Sequence, residues 1–455
     1  MGITLGIMSS DKTPLQLRTQ DPASFFATSD REILLLVRDD FAPELDRLKR
    51  AYSLRDEAFS TSSSPSPSEI LFGDEFDEIN RTLVGVLALK WIYTGEYDTF
   101  VGSQPDTVKL SRASFNWIHK FFIRVITESE DLYMLITSMV VNDLGKDSRL
   151  AQDYQVRVGK DISSLNHDMV LIKAVKAGLV PCLGRLSKAA KDDIIRGMEL
   201  GSEFNFGQLA QAENAPACLS SLHTMRGQEK AFQCRFMEQL LDIAGAAGHT
   251  DWTCAKKLIQ PIFDAYNNVY DAAMRIISGQ SSVREGYDLV LQRRSQLLHE
   301  KGFRQLDVGR SEDRALARIL CMGGVADVET AELYRRVWES SSLGAATKEE
   351  LVRALNIDGS VEEPAVQPTY MPALITHAVN TFRGDNQAQQ RALASALRYL
   401  QRVMTDTDKP EGTVSVIERN VLRILKDIVQ SPEFVADPAI LEKAEVPKGV
   451  IAKGV

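Results

Sequence analysis

Apolar residues in this chain recur mostly at three- and four-residue steps, the spacing that lines one face of an α-helix. The longest such stretch runs from Phe121 to Val141, where Phe122, Val125, Ile126, Leu132, Leu135, Ile136 and Met139 share the period. It stops at Asn142-Asp143-Leu144-Gly145-Lys146-Asp147, so two adjacent ligand-type side chains sit where an apolar helix ends. About one helix-length on, Ser163-Ser164-Leu165-Asn166-His167-Asp168 opens the apolar run 169–172 and reads as a helix start. Two such clusters can face each other across a bundle. The segment 78–97, with Ile79, Leu83, Val84, Val86, Leu87, Leu89, Trp91 and Ile92, predicts a central core helix. Helical spacing recurs over 41–59, 187–199, 255–277, 283–299, 314–322, 331–339, 348–355, 373–381, 387–404 and 415–429, whereas 201–217 reads as a loop. Strand-type alternation is scarce, so the pattern predicts an all-α fold, one large helical bundle.

Three stretches depart from this pattern. Ser60 to Ser68 is almost all Ser and Pro, has nothing to bury, and predicts a flexible surface loop over 60–68. Beyond Pro432, Pro438, Pro447 and two Gly-Val pairs predict a frayed tail over 431–455. With no repeat and no long linker between them, residues 1–430 are expected to form a single all-α catalytic domain, its binding core at 119–249. Gly245 and Gly248, at the end of the apolar run Phe232 to Ile243, mark a helix stop or a close backbone approach.

Composition narrows the function classes. At 44 % hydrophobic and 25 % charged, 455 residues are ample for a folded core. A net charge of -9 argues against a nucleic-acid partner, whose phosphates demand clustered Lys and Arg. Five widely spaced cysteines without a C-x-x-C pair suggest neither a disulfide framework nor a zinc knuckle, which points to a reducing, cytoplasmic setting. No apolar run reaches the roughly 18 to 20 residues of a membrane span, and the start of the chain carries no secretory or myristoylation signal.

The candidate chemistry gathers on a few residues. Asn142 and Asp143 offer hard oxygen donors, which suit Mg²⁺. Lys146 follows within a turn. Glu238 and Asp242 lie four apart on one helix face, and Arg226 and Lys230 precede them on the same helix. Paired cations beside carboxylates are what a diphosphate site needs. The plainer reading is that Asn142, Asp143 and Asp168 only cap helices. His223, His249, His299 and His377 read as ordinary packed or surface histidines.

The order His119, Asn142-Asp143-Leu144-Gly145-Lys146, His167, Asp242 resembles the HD-domain phosphohydrolase pattern, in which histidines and aspartates from central helices hold metals. Asn142 departs from it, standing where the pattern has His, and an amide oxygen favours Mg²⁺ over Fe, Mn or Zn. The usual motifs of class I terpene cyclases are absent: Asp192-Asp193-Ile194-Ile195-Arg196 ends in Arg, and Leu150 replaces the Glu of the second motif. The all-α character, the N-D-L-G-K-D run and Asn166-His167-Asp168 nevertheless resemble an atypical family of fungal sesquiterpene cyclases, the humulene synthases of tropolone-sesquiterpenoid pathways in secondary metabolism, which lack both motifs.

That resemblance implies a lyase that ionises farnesyl diphosphate with Mg²⁺ and closes the allyl cation on a distal double bond. It implies Asn142, Asp143, His167, Asp168 and Asp242 as metal ligands, Asn142, Asp143 and Lys146 at the centre of catalysis, and Arg226 and Lys230 as diphosphate partners. Phe115, Trp117, Phe121, Phe232, Phe236, Trp252, Phe263, Tyr266 and Tyr270 are candidates for an apolar wall around the cation. Two other readings stay open: an HD-type phosphohydrolase on a nucleotide or phosphoester, and a non-catalytic helical scaffold. A homodimer through the C-terminal amphipathic helices is a further expectation.

Overall fold

Polar side chains start most of the helices. Ser29, Ser111, Asn166 and Ser282 each accept a hydrogen bond from a backbone N–H of the first turn that follows, and Glu285 returns the bond to Ser282 in a capping box. The computed structural model describes residues 12–53 and 64–452. It is 65 % helical with one small three-stranded sheet, so the chain is all-α in character. The helices divide into two compact units, residues 1–201 with 228–263 and residues 202–227 with 264–455.

The first unit contains α1 (Asp30–Asp40), α2 (Ala42–Leu48), α3 (Pro67–Phe72), α4 (Asp77–Thr94), α5 (Arg112–Val125), α6 (Asp131–Val141), α7 (Ser148–Val158), α8 (His167–Lys176), α9 (Lys188–Glu203) and α10 (Glu229–Gly245). As its sequence predicts, α4 is a core helix, buried along most of its length. It packs closely on α10 because glycine lies at the contact. A Cβ on Gly85 would stand 2.8 Å from Met139 Cε and 3.0 Å from Leu241 O, and one on Gly245 would run into Arg81 O. Every residue of α6 is buried.

Three expectations change here. The run Phe121 to Val141 is two helices, because Asp131 Oδ2 accepts from the N–H groups of Thr127 (2.9 Å) and Glu128 (2.8 Å) and turns the chain between α5 and α6. In the Ser/Pro stretch, residues 60–63 lie outside the described residues, and the rest is not a flexible loop. Ser66 caps α3, Pro67 occupies its first turn, and Ser68 N–H donates to Asn80 Oδ1 at 2.8 Å, with both serines fully buried. Of the predicted helix over 41–59, only α2 is described; 54–59 also lie outside the described residues.

The second unit contains α11 (Gln260–Ile277) from Asp264 on, its first turn to Phe263 belonging to the first unit, with α12 (Val283–Glu300), α13 (Ser311–Met322), α14 (Val328–Glu339), α15 (Ala345–Leu355), α16 (Met371–Asn380), α17 (Asn386–Thr405) and α18 (Pro432–Ala436). Most match the predicted helices within a few residues. The region 415–429 matches only in its second half, where Leu422–Ile424 is α-helical and Leu425–Val429 continues as a π-helical turn; Val416–Glu418 is strand β2, paired in parallel with β1 (Ala365–Gln367) and antiparallel with β3 (Val450–Ile451). The stretch 201–217, expected as loop, contains the short helix Phe206–Ala210. The tail is docked rather than frayed. Phe434 and Leu441 are fully buried, Tyr399 O–H donates to Glu445 O at 2.9 Å, and Arg402 Nη1 donates to Ala444 O at 2.8 Å.

Candidate functional site

In the first unit, α4, the end of α6 with its 3₁₀ turn Leu144–Lys146, and α10 bring one set of charged side chains together. Lys146 Nζ is 2.9 Å from Glu78 Oε2 and 3.0 Å from Asp143 Oδ2. Arg81 Nη1 lies 3.0 Å from Glu78 Oε1. Across from them on α10, Arg235 Nη1 pairs with Glu238 and donates to Asn142 Oδ1 at 3.2 Å, while Ser138 O–H donates to Glu238 Oε2 at 2.5 Å. Asp242 completes the nest one turn on from Glu238. Between them is a cavity of about 20 Å³, lined by Arg81, Thr82, Gly85, Met139, Asn142, Asp143, Glu238, Leu241 and Asp242. That is room for about one water molecule.

Asp143 and Asn142 are not mere caps. Asn142 spends its amide oxygen on Arg235, and the Asp143 side chain caps no helix. Burial pushes the Asp143 carboxyl up to about 7, the charges of Asp242 and Glu78 add to it, and Lys146 offsets only part. Burial also raises Glu238 and Asp242 against the pull of Arg235 and Arg81. For Glu78, burial pushes upward, but Lys146 and Arg81 prevail and hold its carboxyl below the usual range. Three carboxyls that resist ionisation next to three cations make a site in which a proton and a charge are held at high free energy.

The other sequence-predicted residues are placed as follows. His167 and Asp168 begin α8, where His167 Nε2 is 3.3 Å from Asp168 Oδ1 and Nδ1 is 3.4 Å from Tyr52 Oη. Both side chains are part-exposed, and Asn166 caps the helix; the negative charge of Asp168 contributes to raising Glu238. The backbone of His167 lies so close to Gly145 that a Cβ there would collide with His167 O, so the glycine of the Leu144-Gly145-Lys146 turn is required by packing. Lys230 pairs with Glu128 (2.9 Å) and Asp131 (2.8 Å), not with the nest. Arg226 belongs to the second unit, where its Nε donates to Ile277 O at 3.4 Å. The His119 ring bonds Ile92 O at 2.7 Å near the C-terminal end of α4. At 1.5 Å per residue, that is about 16 Å along the helix from Arg81.

Sequence reasoning missed Glu78, Arg81 and Arg235. The signal was there, because Glu78, Arg81, Thr82 and Gly85 form an i, i+3, i+4, i+7 stripe on an otherwise apolar helix, and Arg235 sits three residues before Glu238. The oxygen donors are of the kind Mg²⁺ prefers. As arranged, however, Asp143, Glu78 and Glu238 are each engaged by a cation of the chain, and among the described residues no three His, Cys, Asp or Glu side chains converge as a metal site. The residues as they stand do not fit an ion.

A family model matches residues 34–441. The chain belongs to DUF6829, a family of unknown function. No curated protein and no solved structure matches it. The matched region contains every nest residue and the docked helix α18, so the family spans residues of both compact units.

Proposed function

We propose that this DUF6829 chain is a sesquiterpene cyclase acting on farnesyl diphosphate, with the nest between α4, α6 and α10 as its diphosphate end. The observation that carries this reading is the meeting of Arg81, Lys146 and Arg235 around Asn142-Asp143 in a buried place. Cations held in a low-dielectric site stabilise a departing diphosphate far better than they would in water. In the reaction the bond between the allylic carbon and the diphosphate oxygen breaks, the electron pair leaves with the diphosphate, and the allyl cation closes on a distal double bond before losing a proton to the released diphosphate. Lys146, Arg81 and Arg235 would exchange their carboxylate partners for phosphate oxygens. Protonation of Asp143 near neutrality lowers the cost of releasing Lys146.

An aromatic wall is available in the same unit. Trp117 stacks on Phe121 at 5.1 Å, Phe121 meets Phe236 edge-on at 5.7 Å, and Trp117 meets Phe263 at 5.6 Å. Phe236 follows Arg235 on α10, so the wall and the nest share that helix.

A second reading is favoured by one specific observation. A cavity of about 20 Å³ among charges most of which are already paired within the chain is also what a non-catalytic scaffold would have. The HD-type phosphohydrolase has less support, since His119 is bonded at the far end of α4. Purified protein incubated with farnesyl diphosphate, once with Mg²⁺ and once with EDTA, separates these readings when the volatile extract is analysed by gas chromatography. A cyclic hydrocarbon formed only with Mg²⁺ supports the cyclase and Mg²⁺ as its cofactor. Hydrocarbon formed in EDTA as well supports a metal-free cyclase. Phosphate release from nucleotides without hydrocarbon supports the phosphohydrolase, and inertness to both supports the scaffold.

A further inference from the structure

The turn that carries Lys146 toward the nest has a second side. There the first unit has a cavity of about 340 Å³, lined by Pro43, Glu44, Arg47, Arg50, Leu144, Arg149, Asp153, Leu179, Val180 and Pro181. This volume is at the lower end of the roughly 300–1,000 Å³ typical of small-molecule sites.

Its charged groups are organised. Asp147 is almost fully buried and bridges Arg47 (3.3 Å) and Arg50 (2.9 Å), which holds the two guanidinium groups side by side. Arg47 gives its other terminal nitrogen to the exposed Asp153 at 2.6 Å, a partner that solvent can replace. Arg149, on the first turn of α7, has no side-chain partner among the described residues. At the opposite chemical pole is Glu44, 1 % exposed. Its Oε1 accepts from Cys182 N–H at 3.0 Å and the Cys182 thiol lies against the same carboxyl, while its Oε2 is buried without another hydrogen-bond partner. A buried carboxylate oxygen with no partner costs free energy that a donor from a bound molecule would recover. Pro43, Leu144, Leu179 and Pro181 supply apolar surface for a short carbon skeleton.

The geometry points to a binding site for a small hydroxylated phosphate monoester, distinct from the nest. Arg47, Arg50 and Arg149 take the phosphate, since the guanidinium fork matches phosphate oxygens in pairs, and Glu44 Oε2 accepts from a hydroxyl of the ligand. Leu144 and the buried Asp147 flank Lys146, so the ligand would rest on the turn that positions the nest. The site does not depend on the cyclase reading.

Titration calorimetry with glycerol 3-phosphate on the full-length protein tests it. Saturable binding with one site per chain is expected, weakening as salt is raised. Arg149→Glu, at an exposed position unpaired among the described residues, is expected to weaken it by about tenfold or more, Arg149→Lys by less, and Lys146→Met not at all. Glycerol without phosphate should not bind. No saturable binding to the wild type, equal binding to Arg149→Glu, or loss of binding in Lys146→Met would overturn the assignment. Binding of inorganic phosphate as tight as that of glycerol 3-phosphate would overturn the part given to Glu44.

Discussion

Asp143 is the residue on which the nest turns, and its titration gives the first prediction. Its carboxyl keeps a proton in the fold up to about 7, whereas in the unfolded chain it titrates near 3.8. The folded state therefore binds the extra proton between those values. The stabilisation is complete below the unfolded value and is lost as pH rises through about 7. Asp143→Asn, which cannot ionise, should gain on the wild type between about pH 5 and about pH 8, by an amount on the order of a few kcal/mol. Urea unfolding at the two pH values measures it, and an equal difference at both would contradict the buried, charge-crowded environment. A second residue of this kind is Glu213 in the second unit, pushed up to about 7 by burial. It accepts the backbone N–H of Tyr370, which has a left-handed φ of 69°. Glu213→Ala should lose about 0.5–1.5 kcal/mol because the Tyr370 N–H loses its hydrogen-bond acceptor, while Glu213→Gln, which keeps an acceptor, should lose clearly less in the same measurement. Asp143 was legible in the sequence because it ends an apolar helix. Glu213 was not, because its partner is a backbone group far along the chain that no spacing announces.

Among the elements, the contact between α4 and α10 sets the nest. The glycines at its crossing let Arg81 and Asp242 share one cavity. Gly245→Ala would drive a Cβ into Arg81 O and to 2.9 Å from Gly85 N, both backbone atoms that cannot swing aside. The helices would have to separate, at a cost of about 1–3 kcal/mol, and a thermal melt at one pH reads this directly. An unchanged melting temperature would mean that the helices are less tightly packed than described. Both helices were readable from their 3.6-residue period, and the glycines signalled a close approach, yet which helix approached was invisible: α4 and α10 are far apart in sequence. Periodicity likewise ran α5 into α6, since the break at Thr127 to Glu130 is made by a hydrogen-bonded turn and not by a loss of apolar spacing.

At the scale of the molecule, the all-α character followed from the scarcity of alternating patterns, but the division into two units and the ordered C-terminal segment did not. A tail rich in Pro and Gly looks frayed when its few apolar residues are read alone. Phe434 and Leu441 are buried, and main-chain carbonyls of the tail accept from Tyr399 and Arg402. Truncation after Gln430 should therefore destabilise the second unit, since each buried large apolar side chain contributes about 1.5–3 kcal/mol. Limited proteolysis checks it: faster cleavage within 264–430 is expected, and an unchanged pattern would restore the frayed tail.

The most direct test of the central claim, that the nest is the diphosphate end of a prenyl diphosphate cyclase, is hydrocarbon formation from farnesyl diphosphate by the wild type and by Lys146→Met, with circular dichroism on both. Lys146 is paired with Glu78 and Asp143, so its removal takes a cation from the nest and leaves the buried Glu78 to Arg81 alone, which is why helix content is read on both proteins. The account predicts a cyclic hydrocarbon from the wild type and a loss of about 100-fold or more in the variant, the scale seen when one donor to a developing oxyanion is removed, with helix content unchanged. A folded Lys146→Met protein that makes hydrocarbon at the wild-type rate, or a wild type that makes none, would contradict it.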